Sequence, residues 1–267
     1  LYVADTGNHR IKALVQDGEP VFTRTLAGDG TAGHVDGHNL QAVRFSAPSG
    51  LYLHADRLFI ADTNNHVIRA LTVDPQATPD LITSAGSPGQ PGHVNGSGAT
   101  ARLTKPSALT GDGTTIYVAD VGNHRVRTLD VAPGSYSLTI ADYAGSGVRA
   151  YADGPLAQAA IPGDFALAFD PQRGLLLADV GGHRVRQIGP DQAQLTAIVG
   201  DGVAGDLGGR AYRGSAVAAG RAAFFTDGDA LVSDQADHRL VRIGADGSPT
   251  VFSGAVRKPR MKAARWR

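Results

Sequence analysis

Aspartate and histidine, two residue types that can bind metals and transfer protons, recur together along this chain. In each pair the His lies four residues after the Asp, and the pairs are 55 to 59 residues apart. Repetition places equivalent residues at equivalent points of successive units, whereas a catalytic or metal site needs unlike residues that converge. We therefore interpret both sets as structural, with each Asp capping its own turn and each His bonding within or between units. The sets are Asp5, Asp62, Asp120, Asp179 and Asp234, and His9, His66, His124, His183 and His238.

Basic residues follow each of these histidines and alternate with apolar ones. The alternation predicts a half-solvated outer strand that displays a basic stripe. Such a stripe could contact RNA phosphates, but aromatic residues make up only 6% of the chain and none lies within the stripe for base stacking. Pairing with acidic neighbours or solvation is therefore the expected role. The candidate binding residues are Arg10, Lys12, Arg69, Arg125, Arg127, Arg184, Arg186, Arg239 and Arg242.

Two glycine strings match the spacing of a dinucleotide-binding loop. That loop requires a following helix whose amino end holds the pyrophosphate, and no amphipathic helix follows either string. We predict a turn at each string and no bound nucleotide. The strings are Gly28, Gly30 and Gly33, and Gly200, Gly202 and Gly205.

His34 and His38 have the spacing of two zinc ligands on a helix. Gly33 and Gly37 stand beside them and disfavour a helix at this point. His93 aligns with His34 in the next unit, but no second His accompanies it. We therefore predict no metal ion and no cofactor.

The composition predicts short strands joined by turns. The 267 residues include 35 Gly and 14 Pro, and 42% are hydrophobic and 19% charged. These fractions exclude general disorder and a long coiled coil, and no apolar run is long enough to cross a membrane as a helix. A sequence without Cys excludes disulfides, thiol nucleophiles and Cys-ligated zinc. We expect an all-β protein.

A repeated unit of about 57 residues organises the chain. Each unit contains an apolar strand that ends in the Asp, a turn, a strand with the basic residues, a further strand and a Gly-rich segment. A strand before the Asp segment brings the number to four per unit, and four-stranded units in tandem predict a β-propeller. The most regular segments are 1–14, 58–71, 116–129, 175–188 and 230–243.

The turn sequences resemble NHL repeats, most clearly Asn-His-Arg-Ile from position 8 and Asn-His-Arg-Val from position 123. Gly182 and Asp237 depart from the pattern at the Asn position, and Val67 replaces the usual Arg. The long Gly-rich segments resemble those of NHL propellers found next to thioredoxin-like domains. The resemblance implies a typically six-bladed ring and a thioredoxin-like domain elsewhere in the full-length chain.

We predict that residues 1–254 form the propeller, with units near 1–28, 45–86, 103–145, 161–200 and 214–254. A six-bladed ring of this period needs about 340 residues, so we expect about five blades of a six-bladed ring. The chain is accordingly interpreted as a fragment of a larger multidomain protein. Residues 255–267 are rich in Lys and Arg and are expected to be a disordered or truncated tail.

A propeller without a convergent catalytic set is expected to act by binding. We predict a non-catalytic scaffold that binds a protein or a small molecule on a loop face and has no membrane span. A metal-dependent hydrolase or lyase with its site in the central channel is the alternative, and RNA binding is a second one. Such an enzyme would use residues that break the repeat. The sequence assigns no partner to the non-repeating candidates Asp164, Asp170, Tyr212, Asp227 and Asp229.

Overall fold

The computed structural model describes residues 1–15, 22–130, 138–179, 184–200, 219–224, 229–234, 239–244 and 248–254. The described chain is mostly β-strand and forms five antiparallel sheets, which are the blades of a β-propeller. The predicted all-β propeller with about five blades is therefore confirmed. The basic segment 255–267 lies outside the described residues.

The strands are numbered here in chain order. Blade 1 contains β1 (Tyr2–Asp5), β2 (Arg10–Val15) and β3 (Phe22–Ala27), and blade 2 contains β4 (Pro48–His54), β5 (Arg57–Asp62), β6 (Val67–Thr72) and β7 (Leu81–Ala85). Blade 3 contains β8 (Gly96–Ser97), β9 (Pro106–Gly111), β10 (Thr115–Asp120), β11 (Arg125–Asp130) and β12 (Thr139–Ala144). Blade 4 contains β13 (Gly154–Pro155), β14 (Phe165–Asp170), β15 (Gly174–Asp179), β16 (Arg184–Ile188) and β17 (Gln194–Val199). Blade 5 contains β18 (Ala219–Phe224), β19 (Ala230–Asp234), β20 (Arg239–Ile243) and β21 (Pro249–Gly254), and single-turn 3-10 helices lie at Thr6–Asn8, Thr63–Asn65, Gly98–Thr100 and Val121–Asn123.

The strand order within the blades is the order predicted from the repeat. The strands β4, β9, β14 and β18 contact one another in succession and form the inner edges of blades 2 to 5. The strands that end in the repeated Asp come next, and in blades 2 to 4 they are buried on both faces, because the residues before the Asp are mostly apolar, as in β15. The strands with the basic residues follow, and β3, β7, β12, β17 and β21 are the outer strands of this ladder.

The Gly-rich segments, which we call the inserts, are residues 28–47, 86–105 and 145–164. Each insert leaves the outer strand of one blade, reaches the outer edge of the next blade and returns to that blade's inner strand. At the outer edge, Gly37 pairs with Leu81 of β7, β8 pairs with β12, and β13 pairs with β17. The returning halves place Phe45, Leu103 and Ile161 in the apolar clusters between blades. The inserts therefore cover sheet edges and fill the spaces between blades.

The two ends of the propeller are built differently. The turns after β1, β5 and β10 lie at the same end as the inserts, since the backbone N–H of Gly122 donates to the carbonyl of Thr104. We call this end the insert face. The turns between the first and second strands of blades 2, 3 and 4 lie at the opposite face, together with the connections between the third and fourth strands of blades 2 and 4. There the N–H of Val73 donates to the carbonyl of Asp56.

Candidate interaction surface

The repeated aspartates lie at the ends of the second strands, where Asp62 and Asp120 are fully buried. Asp62 Oδ1 accepts the backbone N–H of Ser46 at 2.7 Å. Its Oδ2 accepts Asn65 Nδ2 and Arg69 Nη1, each at 2.8 Å. Asp120 repeats this arrangement with the N–H of Thr104, Asn123 Nδ2 and Arg127 Nη1. Each carboxylate therefore ties its turn to the insert and to the third strand.

This arrangement corrects the predicted role of the aspartates. The side chains of Asp5, Asp62 and Asp120 do not cap the backbone of their own turns. Burial raises the pKa of Asp62 and Asp120, while the neighbouring guanidinium, the Asn amide and a backbone N–H oppose that rise. Each carboxylate connects its turn to the insert and to the third strand of the same blade and does not cap the backbone of the turn.

Three arginines of the predicted surface stripe are buried, so the half-solvated strand predicted for them is wrong. Arg69, Arg127 and Arg186 have no exposed side-chain surface. Each follows a β-bulge between the third and fourth strands of its blade. The inserts lie over these strands, and burial comes from residues more than twenty positions away in the sequence.

The inserts supply the second set of partners for these arginines. Arg69 Nε donates to Asp36 Oδ1 at 2.9 Å, and its Nη2 donates to the carbonyl of Val35 at 2.9 Å. Arg186 Nε donates to Asp153 Oδ1 at 3.0 Å in the same way. A guanidinium has five donors in a fixed plane, which suits it to join two carboxylates and several carbonyls. These arginines are therefore connectors between each blade and its insert.

Blade 3 achieves the same pairing with a different distribution of residues. Asn95 occupies the insert position that holds Asp in the other two inserts, and Arg127 Nη2 donates to Asn95 Oδ1 at 2.7 Å. The missing carboxylate comes from Asp142 on β12, which lies 2.8 Å from Arg127 Nε. His93 Nε2 lies 2.8 Å from the same Asp142 oxygen. In blade 3 the carboxylate therefore lies on the outer strand and not on the insert, and it still contacts the buried Arg.

The first arginines of two third strands pack against the start of the following insert. Arg10 Nη2 donates to the carbonyl of Asp29 at 2.9 Å. A Cβ atom on Gly30 would lie 2.6 Å from Arg10 Nη2, so a side chain there would displace the guanidinium. Residues 28–33 form an irregular loop, as predicted for the first glycine string. The spacing of these glycines is explained by the Arg that packs on them.

The contact between the Arg and the Gly could have been predicted from the sequence, because the two residues change together between units. Arg125 packs on Gly147 as Arg10 packs on Gly30, again with 2.6 Å between the added Cβ and Nη2. In the second blade, where Val67 replaces the Arg, Pro88 takes the place of the Gly. The Arg and the Gly therefore change together within one sequence, which marks them as neighbours.

The repeated histidines hold the turns against the adjacent inserts. His9, His66 and His124 adopt positive φ values of 55°, 61° and 56° at the ends of their turns. His9 Nδ1 accepts the backbone N–H of Ala47 at 3.1 Å, and His66 Nδ1 accepts that of Lys105 at 3.0 Å. Burial lowers the pKa of His66. His183 and His238 lie outside the described residues.

The other stripe residues have separate surroundings. Lys12 Nζ lies 2.8 Å from Asp5 Oδ2, and Arg242 forms an ion pair with Asp229. The guanidinium of Arg184 lies 3.4 Å from the centre of the Tyr151 ring. The structure does not describe the side chain of Arg239.

The remaining sequence candidates do not converge. His34 Nε2 lies 2.7 Å from Thr83 Oγ1, and His38 Nδ1 lies 3.3 Å from Asp80 Oδ1. Asp170 Oδ1 accepts backbone N–H groups of its own turn, and Asp164 is exposed. Across the described ranges there is no group of three or more His, Cys, Asp or Glu side chains that could hold a metal ion. Tyr212 and Asp227 lie outside those ranges.

Several cations of the insert face have no acidic partner. Arg102, Lys105 and Arg149 are at least partly exposed and form no ion pair with any described residue. Arg102 donates instead to backbone carbonyls and to Gln90, and Arg149 Nε donates to a carbonyl at 3.2 Å. The three inserts contain four Arg or Lys residues and four Asp residues, and Arg44 Nε is 2.7 Å from Asp29.

Acids predominate on the opposite face. Its turns and connections carry Asp56, Asp74, Asp112, Asp170 and Asp191. Four of these, Asp74, Asp112, Asp170 and Asp191, accept backbone N–H groups within their own turns. The turns and connections of the opposite face are therefore mainly acidic, whereas the inserts carry as many acids as cations, and three of those cations have no acidic partner among the described residues.

A groove of about 420 Å³ lies between blades 1 and 2. Its charged and imidazole side chains are Arg24, His38 and Asp74, and Leu26 and Leu40 are among its apolar ones. None of the repeated Asp or His residues lines it. Separately, no helix in the described chain is long and apolar enough to span a membrane.

Comparison with known proteins identifies the type of repeat. No family model matches the chain. Protein SUPPRESSOR OF QUENCHING 1, chloroplastic, from Arabidopsis thaliana is 40% identical over 86 residues, which are 31% of this chain and 8% of that protein. NHL repeat-containing protein 2 from Bos taurus is 40% identical over 76 residues, which are 28% of this chain and 10% of that protein. The chain is an NHL-type β-propeller.

The match covers a tenth or less of the length of these two relatives. Solved structures share the architecture of this NHL-type propeller at low identity. An auxiliary nutrient binding protein from Bacteroides thetaiotaomicron has a TM-score of 0.59 and 14% identity, over 87% of this chain and 58% of that one. Virginiamycin B lyase from Staphylococcus aureus has a TM-score of 0.54 and 11% identity, over 96% of this chain and 66% of that one. Similarity at this level shows the fold alone.

Proposed function

We propose that this NHL-type propeller is a non-catalytic scaffold that binds a protein partner with an acidic surface on its insert face. The observation that carries the proposal is the division of roles among the polar residues. The repeated Asp, Asn and Arg side chains are used in hydrogen bonds that join blades and inserts. Arg102, Lys105 and Arg149, by contrast, have no ion pair among the described residues.

The insert face suits binding because its loops are already fixed. Asn65 Nδ2 donates to the carbonyl of Gly33 at 2.7 Å, and Asn123 Nδ2 donates to that of Gly92 at 2.7 Å. Such contacts restrain the inserts before a partner arrives, so little ordering entropy is lost on association. The three cations without an acidic partner would favour encounter with an acidic surface and disfavour a basic one.

The proposal is tested by site-specific photo-crosslinking in the full-length protein. A photoreactive residue replaces Lys105 on the insert face, and the control carries it at Thr114, an exposed residue of the opposite face. We expect protein adducts from position 105 that decrease as salt is raised, with few from position 114. Adducts from position 114 alone, or RNA as the adduct at position 105, would contradict the proposal.

Metal analysis separates the scaffold from the hydrolase or lyase alternative. The scaffold predicts that protein washed with a chelator contains no stoichiometric ion and melts at an unchanged temperature. A bound ion whose removal lowers the melting temperature and abolishes turnover would favour the enzyme. The sixth blade, the thioredoxin-like neighbour and the predicted unit boundaries stay predictions.

A further inference from the structure

The junctions between neighbouring blades are built alike in two places and differently in a third. Where the first insert joins blade 2, the N–H of Ala47 donates to His9 Nδ1 at 3.1 Å. Where the second insert joins blade 3, the N–H of Lys105 donates to His66 Nδ1 at 3.0 Å. At the junction of blades 3 and 4, by contrast, His124 Nδ1 is buried and forms no hydrogen bond with any described residue. The third junction therefore lacks a contact that the repeat makes in the other two.

Three consecutive positions explain the missing contact. The chain enters the inner strand through Ser-Ala-Pro at 46–48, through Thr-Lys-Pro at 104–106, and through Pro-Gly-Asp at 162–164. Pro162 has no N–H, whereas the Ser and the Thr at this position each donate one to a repeated Asp. Gly163 does not adopt the positive φ of its two counterparts. The segment 162–164 therefore makes neither of the two hydrogen bonds that hold the other two segments in place.

The same segment presents hydrogen-bond donors that its counterparts do not have. The N–H groups of Gly163 and Asp164 donate to no described residue. The counterpart of Asp164 is a Pro in the other two junctions, and Pro has no N–H at this position. Asp164 is exposed, and Gly163 is partly exposed. Successive N–H groups without acceptors can bind an anion.

Arg149 brings a positive charge to this segment. Its Nε donates to the carbonyl of Pro162 at 3.2 Å. Its Nη1 and Nη2 atoms donate to no described residue, so they are available to a further acceptor. Burial and the charge of Arg149 together lower the pKa of His124, which places the guanidinium near this ring. A guanidinium with available donors therefore lies beside two available N–H groups on the insert face.

Given the proposed binding of an acidic partner, we propose that the junction of blades 3 and 4 binds a side-chain carboxylate of that partner. The Nη atoms of Arg149 and the N–H groups of Gly163 and Asp164 donate to the two carboxylate oxygens. Asp164 is itself exposed and adds a negative charge beside the site, which disfavours a dianion. The site therefore favours the single charge of an Asp or Glu side chain over phosphate.

Fluorescence anisotropy of the full-length protein tests the site, with a rhodamine-labelled hexaglutamate peptide as the probe at low salt. We expect the matched hexaglutamine peptide to bind at least tenfold more weakly. The variant Pro162→Ser/Gly163→Ala/Asp164→Pro recreates the first junction and restores its two hydrogen bonds, so it should be at least as stable as the unaltered protein. It should nevertheless bind hexaglutamate at least fivefold more weakly, although it has lost an acidic residue.

Asp164→Asn is the matched control, because it keeps the N–H and removes the carboxylate. It should bind hexaglutamate at least twofold more tightly than the unaltered protein. Inorganic phosphate should displace the peptide no better than acetate at equal ionic strength.

Equal hexaglutamate binding by the triple variant and the unaltered protein would overturn the site, and so would stronger displacement by phosphate than by acetate. Crosslinking from position 105, measured in parallel, separates this site from the proposed function. Protein adducts from position 105 together with equal peptide binding by the triple variant would overturn the site alone. Absence of those adducts would contradict the proposed function itself.

Discussion

At the scale of single residues, blades 2 and 3 have the acid that contacts the buried Arg at exchanged positions. Asn95 and Asp142 occupy the positions that Asp36 and Thr83 occupy in blade 2. Both arrangements give the buried Arg a carboxylate at its Nε atom. In both blades a carboxylate therefore contacts the buried Arg, but it lies on the insert in blade 2 and on the outer strand in blade 3.

This exchange predicts a strong coupling between positions 95 and 142. Asp142→Thr alone should lower the free energy of unfolding by about 2 kcal/mol, because the buried Arg127 loses the carboxylate that lies 2.8 Å from its Nε atom. The double variant Asn95→Asp/Asp142→Thr recreates the blade 2 arrangement and should recover at least about 1 kcal/mol of that loss. Urea unfolding of the two single variants and the double variant measures the coupling, and strictly additive effects would contradict the account.

The His66 contact predicts a pH dependence of stability. Its Nδ1 accepts a backbone N–H, and burial holds its pKa below the usual 6.5. The unfolded chain then binds a proton that the folded chain excludes, so stability is present above pH 6.5 and is lost as pH falls from 6.5 towards the lowered pKa. His66→Asn, which tolerates the same backbone conformation, should reduce the loss between pH 7.5 and 5.5 measured by urea unfolding.

The matched control for this prediction is His38→Asn, because His38 is 72% exposed. Its pH dependence should follow that of the unaltered protein. An unchanged pH dependence in His66→Asn would contradict the role given to the His66 hydrogen bond.

Residue roles were the part least accessible from the sequence. The alternation after each His correctly predicted a strand, but it also indicated solvent on one side of Arg69, Arg127 and Arg186. That side is covered by an insert that lies more than twenty residues upstream, and local alternation contains no information on it. The paired change of Arg to Val67 and Gly to Pro88 was the signal that could have shown which insert residues touch the third strand.

At the scale of elements, the inner strands of blades 2 and 3 approach each other closely. A Cβ on Gly50 of β4 would lie 2.7 Å from the carbonyl oxygen of Ser107 and 2.8 Å from Ala108 Cα, both in β9. Ser49 Oγ donates to the same carbonyl at 2.7 Å. Blade spacing near the axis is thus set by a residue without a side chain.

Gly50→Ala should therefore destabilise the propeller. Moving backbone atoms apart in a packed region costs about 1–3 kcal/mol. The matched control is Gly163→Ala, which meets no atom within 4 Å and should change stability by less than about 0.5 kcal/mol. Thermal melts of both variants decide the point, and equal melting temperatures for the two would contradict this packing.

Elements were predicted well because the repeat supplies the same evidence five times. The four-strand order, the turns after Asp5, Asp62 and Asp120, and the loop at Gly28 follow from residue types that recur at one period. The added edge strands β8 and β13 were not predicted, since two residues of a Gly-rich segment carry no strand pattern. Their partners are fixed by tertiary contact with β12 and β17.

At the scale of the whole molecule, stability and binding are assigned to different residues. Hydrogen bonds of the repeated Asp, Arg and His side chains join the blades to their inserts, and the partly exposed cations of the insert face are assigned to binding. The sequence predicted a scaffold but did not indicate which face binds, because the cations that lack an acidic partner can be recognised only when the strands are placed in blades.

The most direct test measures stability and binding on the same two variants of the full-length protein. For this test a photoreactive residue replaces Arg149 on the insert face. Asp120→Asn should lower the free energy of unfolding by about 2–4 kcal/mol and leave crosslinking from position 149, measured on the folded fraction, unchanged. Lys105→Glu should leave unfolding within about 0.5 kcal/mol and reduce that crosslinking at least fivefold at low salt. If Asp120→Asn instead abolished crosslinking in a protein of unchanged stability, the repeated aspartates would be functional residues and the central claim would be wrong.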